Sequence, residues 1–181
     1  MAATVLDIAD PTIVLPEIIL IDTSLLLRWR HQNTSVTAFI ARLATAALAG
    51  QLLIVVPLIV FEEACFKLVQ NYYINLNLGH WERDGYKKQP TLLLPFWSKL
   101  KQLEQAILHL PAVITGPDDL IVSSVGTTPM HTQLLMNIRQ HLLLPKDALI
   151  VAEADRLGIR DIATTDRDFD SLSNYTVYRD K

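Results

Sequence analysis

Two kinds of hydrophobic pattern alternate along this chain: continuous apolar runs, and segments in which apolar residues recur every three or four positions. Residues 18–21 and 52–56 are apolar throughout, which is typical of strands buried on both faces of a parallel sheet. Apolar-biased runs at 120–125, 159–164 and 175–178 predict further strands. Strands that alternate with helices indicate βαβ units, so we expect an α/β protein with a three-layer α/β/α fold around a central, mostly parallel sheet.

Helical periodicity predicts helices between these strands. They are expected at residues 25–29, 36–49, 57 to 72 or 73, 95–110, 129–141 and 147–157. Pro57 is placed in a first helical turn, where its missing N–H is harmless. Gly50 and Gly158 directly follow two of the helices, and a glycine adopts the left-handed conformation of a helix end without steric strain.

The same pattern suggests how the chain is divided. Residues 1–17 are small, acidic and proline-containing, and they predict a loose N-terminal leader. Residues 18–181 are expected to form a single domain, since this length suits one core. Residues 74–90 lack clear periodicity and predict a loop or insertion. With the helix at 95–110, they are expected to form a helical insertion around 74–118.

Composition narrows the class of protein. Half of the residues are hydrophobic and 19% are charged, which excludes disorder of the whole chain. The net charge of −3 means that any nucleic-acid binding depends on local patches or on metal ions. A lone cysteine, Cys65, suits a reducing compartment. Since the apolar run at 52–61 is too short to span a bilayer and no signal-peptide pattern is present, we expect a cytoplasmic protein that does not contact membranes.

Acidic residues follow the predicted strands in a way that indicates a metal site. Asp22 and Asp166 each come just after a strand, Asp147 stands at a helix start, and Glu62 or Glu63 lies one or two turns into another helix. The carboxyl ends of parallel strands share one edge, where ligands bind. Carboxylates that converge there repel one another unless a cation neutralises them. Oxygen ligands without histidine or cysteine favour Mg²⁺ or Mn²⁺, so the chemistry expected is metal-assisted phosphodiester hydrolysis.

Each acid also has an ordinary structural interpretation. An aspartate after a buried strand is commonly a helix N-cap, and Asp147 is well placed for that role. Glu62 and Glu63 suit the first turns of a helix, where the helix dipole favours negative charge. What favours a common site is the recurrence of acids across three αβ units.

Four short segments resemble PIN-domain proteins, most nearly the toxin ribonucleases of the VapC type. They are Ile21-Asp-Thr-Ser24, Pro57-Leu-Ile-Val-Phe-Glu-Glu63, Lys146-Asp-Ala-Leu-Ile-Val-Ala152 and Ala163-Thr-Thr-Asp-Arg-Asp-Phe169. The resemblance implies a compact PIN-like α/β/α fold and an endoribonuclease that uses Mg²⁺ or Mn²⁺. In toxin–antitoxin pairs it also implies a small antitoxin as the protein partner.

The resemblance carries over to individual residues. Asp22, Asp147 and Asp166 match the acids that bind the metal ion, and Ser24 and Thr164 match the hydroxyl positions that support them.

The motif leaves two candidates for the acid on the helix. If Pro57 opens the motif, Glu63 falls on the family's acid, and a slip of one residue selects Glu62 instead. Asp168 is either an outer ligand acting through water or a surface acid.

Basic and aromatic residues offer candidate contacts for an RNA substrate. They are Tyr72, Tyr73, His80, Trp81, Arg83, Tyr86, Lys87 and Lys88, with Arg28, Trp29, Arg30 and Arg167 nearer to the acids. Such residues stack on bases and neutralise phosphates. Local packing and ordinary surface charge are the alternative interpretations.

The leading hypothesis is therefore a metal-dependent endoribonuclease, the toxin of a type II toxin–antitoxin pair. The alternative from another class is a non-catalytic PIN-like module that binds RNA or a protein. A phosphohydrolase with Asp22 as nucleophile usually needs a second aspartate two residues on, where this chain has Ser24. The apolar face of the 36–49 helix suits either the core or a homodimer.

Overall fold

The computed structural model describes residues 2–75, 94, 96–116 and 130–180. Its strands are β1 (Thr4–Asp7), β2 (Ile18–Ile21), β3 (Leu53–Pro57), β4 (Ala112–Thr115), β5 (Asp161–Ala163) and β6 (Thr176–Arg179). Its α-helices are α1 (Thr23–Arg30), α2 (Thr34–Leu48), α3 (Leu58–Asn75), α4 (Trp97–Leu108), α5 (Met130–His141) and α6 (Pro145–Leu157). A 3₁₀ helix covers Asp168–Ser171.

The described strands form one sheet in the order β1-β6-β5-β2-β3-β4, and every neighbouring pair is parallel. The expected three-layer α/β/α fold with a central parallel sheet is confirmed. Ile21 of β2 is paired with Ala163 of β5, and Leu20 is paired with Val55 of β3. The carboxyl ends of β5, β2 and β3 therefore lie side by side, which is the edge where the acids were expected.

The two continuous apolar runs form the centre of the core. Ile19, Leu20 and Ile21 of β2 are fully buried, and so are Ile54 and Val56 of β3, because the sheet is covered on both faces. The buried face of α2 joins the same core through Val36, Phe39, Ile40 and Leu43. The apolar face of the 36–49 helix is therefore core.

The prediction of a loose leader is wrong for part of residues 1–17. β1 pairs with β6 along its whole length, with Val5 opposite Val177, and Ile8 just after it is buried in the core. β1 has only two apolar residues, Val5 and Leu6, between polar ones, so it lacks the continuous apolar run that marks β2.

The prediction of an insertion at about 74–118 needs a similar correction. β4 lies within it and pairs with β3, so part of this segment belongs to the central sheet. Residues 76–93 and the strand predicted at 120–125 lie outside the described residues. Pro57 ends β3 instead of opening a helix, and α3 begins one residue later.

Candidate metal centre

Asp22 lies at the junction of β2 and α1, and its carboxylate is almost completely buried. It is the N-cap of α1, accepting a hydrogen bond from the backbone N–H of Ser24. Its Oδ2 also accepts hydrogen bonds from Ser24 Oγ at 2.7 Å and from Thr164 Oγ1 at 2.8 Å. Burial raises the pKa of Asp22, while these hydrogen bonds act to lower it. The capping role and a site role are therefore compatible in one side chain.

The hydroxyls of Ser24 and Thr164 connect Asp22 to the chain that follows β5. Each donates its hydrogen to Asp22 and accepts a backbone N–H, from Thr165 at 2.8 Å and from Asp166 at 3.0 Å respectively. The backbone N–H of Asp22 in turn donates to the carbonyl of Ala163. These bonds fix Asp166 close to Asp22.

Glu63 belongs to the same edge through Thr23, the residue after Asp22. Thr23 Oγ1 donates a 2.9 Å hydrogen bond to Glu63 Oε2. The side chain of Glu63 is 14% exposed, whereas that of Glu62 is 60% exposed. Of the two glutamates, the structure places Glu63 beside the start of α1.

Asp147 lies in the first turn of α6, two positions after Pro145. It is not the N-cap, because that position is occupied by Leu144, which makes no side-chain capping bond. Burial, and after it the negative charges of other carboxylates, together raise the pKa of Asp147 to about 6. The contributing carboxylates are Asp22, Asp166, Glu63 and Asp168. The structure thus brings the acids predicted from sequence into one electrostatic environment.

Asp166 lies in the turn after β5, and Asp168 begins the 3₁₀ helix. The backbone N–H of Asp168 donates to Asp166 Oδ1 at 3.0 Å, which holds the turn closed. Asp168 is exposed, and so is Arg167 between the two acids. Asp168 lies close enough for its charge to act on Asp147, so a role through water and a surface position are both consistent with its placement.

The donor set suits a divalent cation with a partly hydrated coordination sphere. Within the described ranges, no three acid, histidine or cysteine side chains lie close enough to hold one ion together. Mg²⁺, however, usually takes one or two carboxylates directly and keeps several waters. A group of carboxylates that raises the pKa of Asp147 is also the kind of site that a cation stabilises. The chemistry of these residues therefore fits Mg²⁺ or Mn²⁺ with some of the acids acting through water.

Two of the basic and aromatic candidates, Arg28 and Tyr72, make contacts within the fold. Arg28 forms a 2.8 Å ion pair with Asp180, so it ties α1 to the end of β6. Tyr72 stacks on Phe96 with ring centroids 4.6 Å apart. The candidates from His80 to Lys88 lie outside the described residues.

Three neighbours of the acids were missed by the motif argument. Thr23 binds Glu63, and both Lys67 and Lys146 form ion pairs with that carboxylate. Lys67 follows Glu63 by four residues, a spacing at which helical side chains meet, and this signal was available in the sequence. Lys146 comes from a different helix, and only packing of α6 against α3 brings it there.

Comparison with known proteins leaves the family open. No protein-family model matches the chain, and no curated protein matches it. The resemblance to PIN-domain proteins therefore rests on the four sequence segments. Among the helices in the described part of the chain, none has both the length and the apolar character needed to cross a membrane.

Proposed function

We propose that this protein is a metal-dependent endoribonuclease of the PIN-domain type, which hydrolyses RNA phosphodiester bonds with Mg²⁺ or Mn²⁺. The observation that carries the proposal is the environment of Asp147, a half-buried carboxyl whose pKa is raised to about 6 by burial and by four neighbouring carboxylates. A concentration of like charge at the carboxyl edge of a parallel sheet lowers the stability of the folded protein when no cation is bound. It is favourable for binding a cation.

Asp22, Glu63, Asp147 and Asp166 would hold the cation, one or two of them directly and the others through water, as Asp168 would. When bound, such an ion neutralises charge on the phosphate and lowers the pKa of a water molecule. Ser24 and Thr164 orient the Asp22 carboxylate, and Thr23 orients Glu63. The acids act mainly as ligands, and one of them accepts the proton that the attacking water releases.

RNA as the substrate and a small antitoxin as the partner follow from the resemblance of the four segments to VapC-type toxins. Cationic side chains at the acid edge support a polyanionic substrate despite the net charge of −3. Assignment as a toxin is tested separately, by expressing the chain in bacteria and measuring growth arrest. Growth unaffected by an actively cleaving protein would contradict the toxin assignment and leave the nuclease proposal intact.

The decisive experiment compares wild type with Asp22→Asn on a 5′-labelled RNA pool in Mn²⁺. Asparagine is as good an N-cap as aspartate, so α1 is expected to form normally. We expect cleavage to fall on the order of 100-fold or more, as for loss of a catalytic group. Glu104→Gln is the matched control, because Glu104 pairs with Lys101 on α4 and is not among the carboxylates that raise the pKa of Asp147. Cleavage that persists in a folded Asp22→Asn protein, or in wild type with EDTA, would refute the proposal.

A non-catalytic module that binds RNA or a protein is the second candidate. It is favoured by the finding that, among described side chains, no three ligand-type groups are close enough to share an ion. Calorimetric titration with Mn²⁺ separates the two candidates. Binding that disappears in Asp22→Asn supports the nuclease, whereas RNA binding without cation binding supports the module.

A further inference from the structure

Two lysines from different helices approach the same carboxylate oxygen at the acid edge. Lys67 Nζ on α3 lies 3.1 Å from Glu63 Oε1. Lys146 Nζ on α6 lies between the two glutamates, 4.0 Å from that same oxygen and 3.7 Å from Glu62 Oε2. The other oxygen, Oε2, accepts the hydrogen bond from Thr23. Glu63 therefore has one oxygen held by a neutral hydroxyl and one oxygen facing two ammonium groups.

This arrangement makes Oε1 the point of competition between the lysines and any divalent cation. An ammonium group and a metal ion cannot both lie against one carboxylate lone pair at close range, since their charges repel. Both lysine side chains are about half exposed, at 44% and 45%. The ammonium groups can therefore turn to solvent when a divalent cation takes over the neutralisation of Glu63, whose own side chain is only 14% exposed.

Lysine is also suited to bind the substrate phosphate, which the site would receive after the cation. Its ammonium is a compact point charge on a flexible stem and a common ligand of phosphate. Lys146 directly precedes Asp147, and Lys67 lies one turn after Glu63, so the two flank the acids from both helices. Both ammonium groups therefore lie beside an acid that would hold the cation.

We propose that Lys67 and Lys146 are exchangeable counter-ions of Glu63, which a divalent cation displaces and which then bind the phosphate of the substrate. This inference rests on the proposed function. It describes how the same site exchanges its lysines for a cation and then binds the phosphate of RNA. Before the cation binds, the lysines position Glu63. After the cation has displaced them, they bind the substrate.

The test uses Lys67→Met and Lys146→Met in the full chain, with Lys→Gln at each position as a second variant. Lys101→Met is the matched control. Lys101 is 49% exposed, pairs with Glu104, and lies 5.6 Å from the Trp97 ring centroid, much as Lys146 lies 5.8 Å from that of Phe66. The control removes an equivalent charge, ion pair and aromatic contact away from the acids.

Two titrations are then measured for each protein. Mn²⁺ is expected to bind roughly two- to fivefold tighter to the Lys67 and Lys146 variants, because a competing charge of the strength of an exposed ion pair is gone. With saturating Mn²⁺, uridine 5′-monophosphate is expected to bind several-fold more weakly to the same variants. Lys101→Met is expected to match wild type in both titrations.

The outcomes separate this inference from the proposed function. Wild type that binds Mn²⁺, with variants of unchanged or weaker Mn²⁺ affinity, overturns the role of the lysines and leaves the nuclease proposal standing. Tighter Mn²⁺ binding with unchanged nucleotide binding also overturns it, because the lysines would then not reach phosphate. A wild type that binds no Mn²⁺ at millimolar concentration overturns the metal site itself and this inference with it.

Discussion

The hydroxyl of Thr164 donates a 2.8 Å hydrogen bond to Oδ2 of Asp22, although 142 positions separate the two residues along the chain. Both side chains are buried, so neither has water as an alternative partner. The bond joins the ends of β5 and β2, which are neighbouring strands. Together with the 2.8 Å hydrogen bond from Thr165 N–H to Ser24 Oγ, it links the two halves of the candidate site.

Thr164→Val removes this bond while keeping the shape of the side chain. We expect the free energy of unfolding to fall by about 1.5–3 kcal/mol, because a buried carboxylate loses a charged hydrogen bond. Urea denaturation at neutral pH measures the change. Thr37→Val, at an exposed position of α2, serves as the control and should change stability by less than about 0.5 kcal/mol. Equal effects at both positions would show that the hydroxyl does not support Asp22.

Asp147→Asn should stabilise the protein at neutral pH when no divalent cation is present. The pKa of Asp147 is raised from 3.8 to about 6, so between these values the folded protein retains a proton that the unfolded chain releases. Stability contributed by this group is therefore lost as pH rises from about 4 to about 6, and it stays lower above that. Allowing for solvent screening of a half-buried group, the variant should gain about 1 kcal/mol at pH 7.5.

The gain should vanish near pH 4, where Asp147 is protonated in the folded wild type. Urea denaturation in EDTA at both pH values checks this. A gain of the same size at both would mean that the charge of Asp147 is not the cause.

Mn²⁺ binding should weaken as the pH falls, because the raised pKa leaves Asp147 protonated in mild acid. Because a cation competes with the proton on Asp147, Mn²⁺ affinity should fall by up to about tenfold per pH unit below about pH 6, the limit for release of one proton. Calorimetry from about pH 5 to pH 8 measures the slope. A pH-independent affinity over this range would exclude Asp147 from the cation site.

Glu63→Gln and Glu62→Gln should differ in their effect on the site. Glu63 is mostly buried beside Thr23, so its loss should weaken Mn²⁺ binding about tenfold or more. Glu62 is mainly exposed, and its loss should change affinity by no more than about twofold. The reverse order in a calorimetric titration would place Glu62 on the cation and contradict the assignment of Glu63.

Ile8→Ala tests the docking of the N-terminal segment. Ile8 is 2% exposed at the end of β1, so truncation should lower the free energy of unfolding by about 2–5 kcal/mol. Val14, which is 84% exposed, provides the control, and Val14→Ala should have an effect below about 0.5 kcal/mol. A negligible effect of Ile8→Ala would indicate that residues 1–17 do form a loose leader.

The sequence by itself determined the central strands and the positions of the acids after them. The apolar runs of β2 and β3 are long and uniform enough to be recognised without any structure. Gly158 was likewise predictable as a helix end, and it has φ of 71°. Asp22 and Asp166 could be placed on one edge because parallel strands share their direction.

Only the tertiary structure decided which elements and side chains complete that edge. β1 (Thr-Val-Leu-Asp) and β4 (Ala-Val-Ile-Thr) have shorter apolar runs than β2 and β3, and they are recognised by their pairing with β6 and β3. The choice between Glu62 and Glu63 depends on the rotation of α3 about its axis, since adjacent helical residues point about 100° apart. The approach of Lys146 to Glu63 depends on packing of α6 against α3. These are long-range relationships, and a local sequence pattern carries no information about the distance between helices.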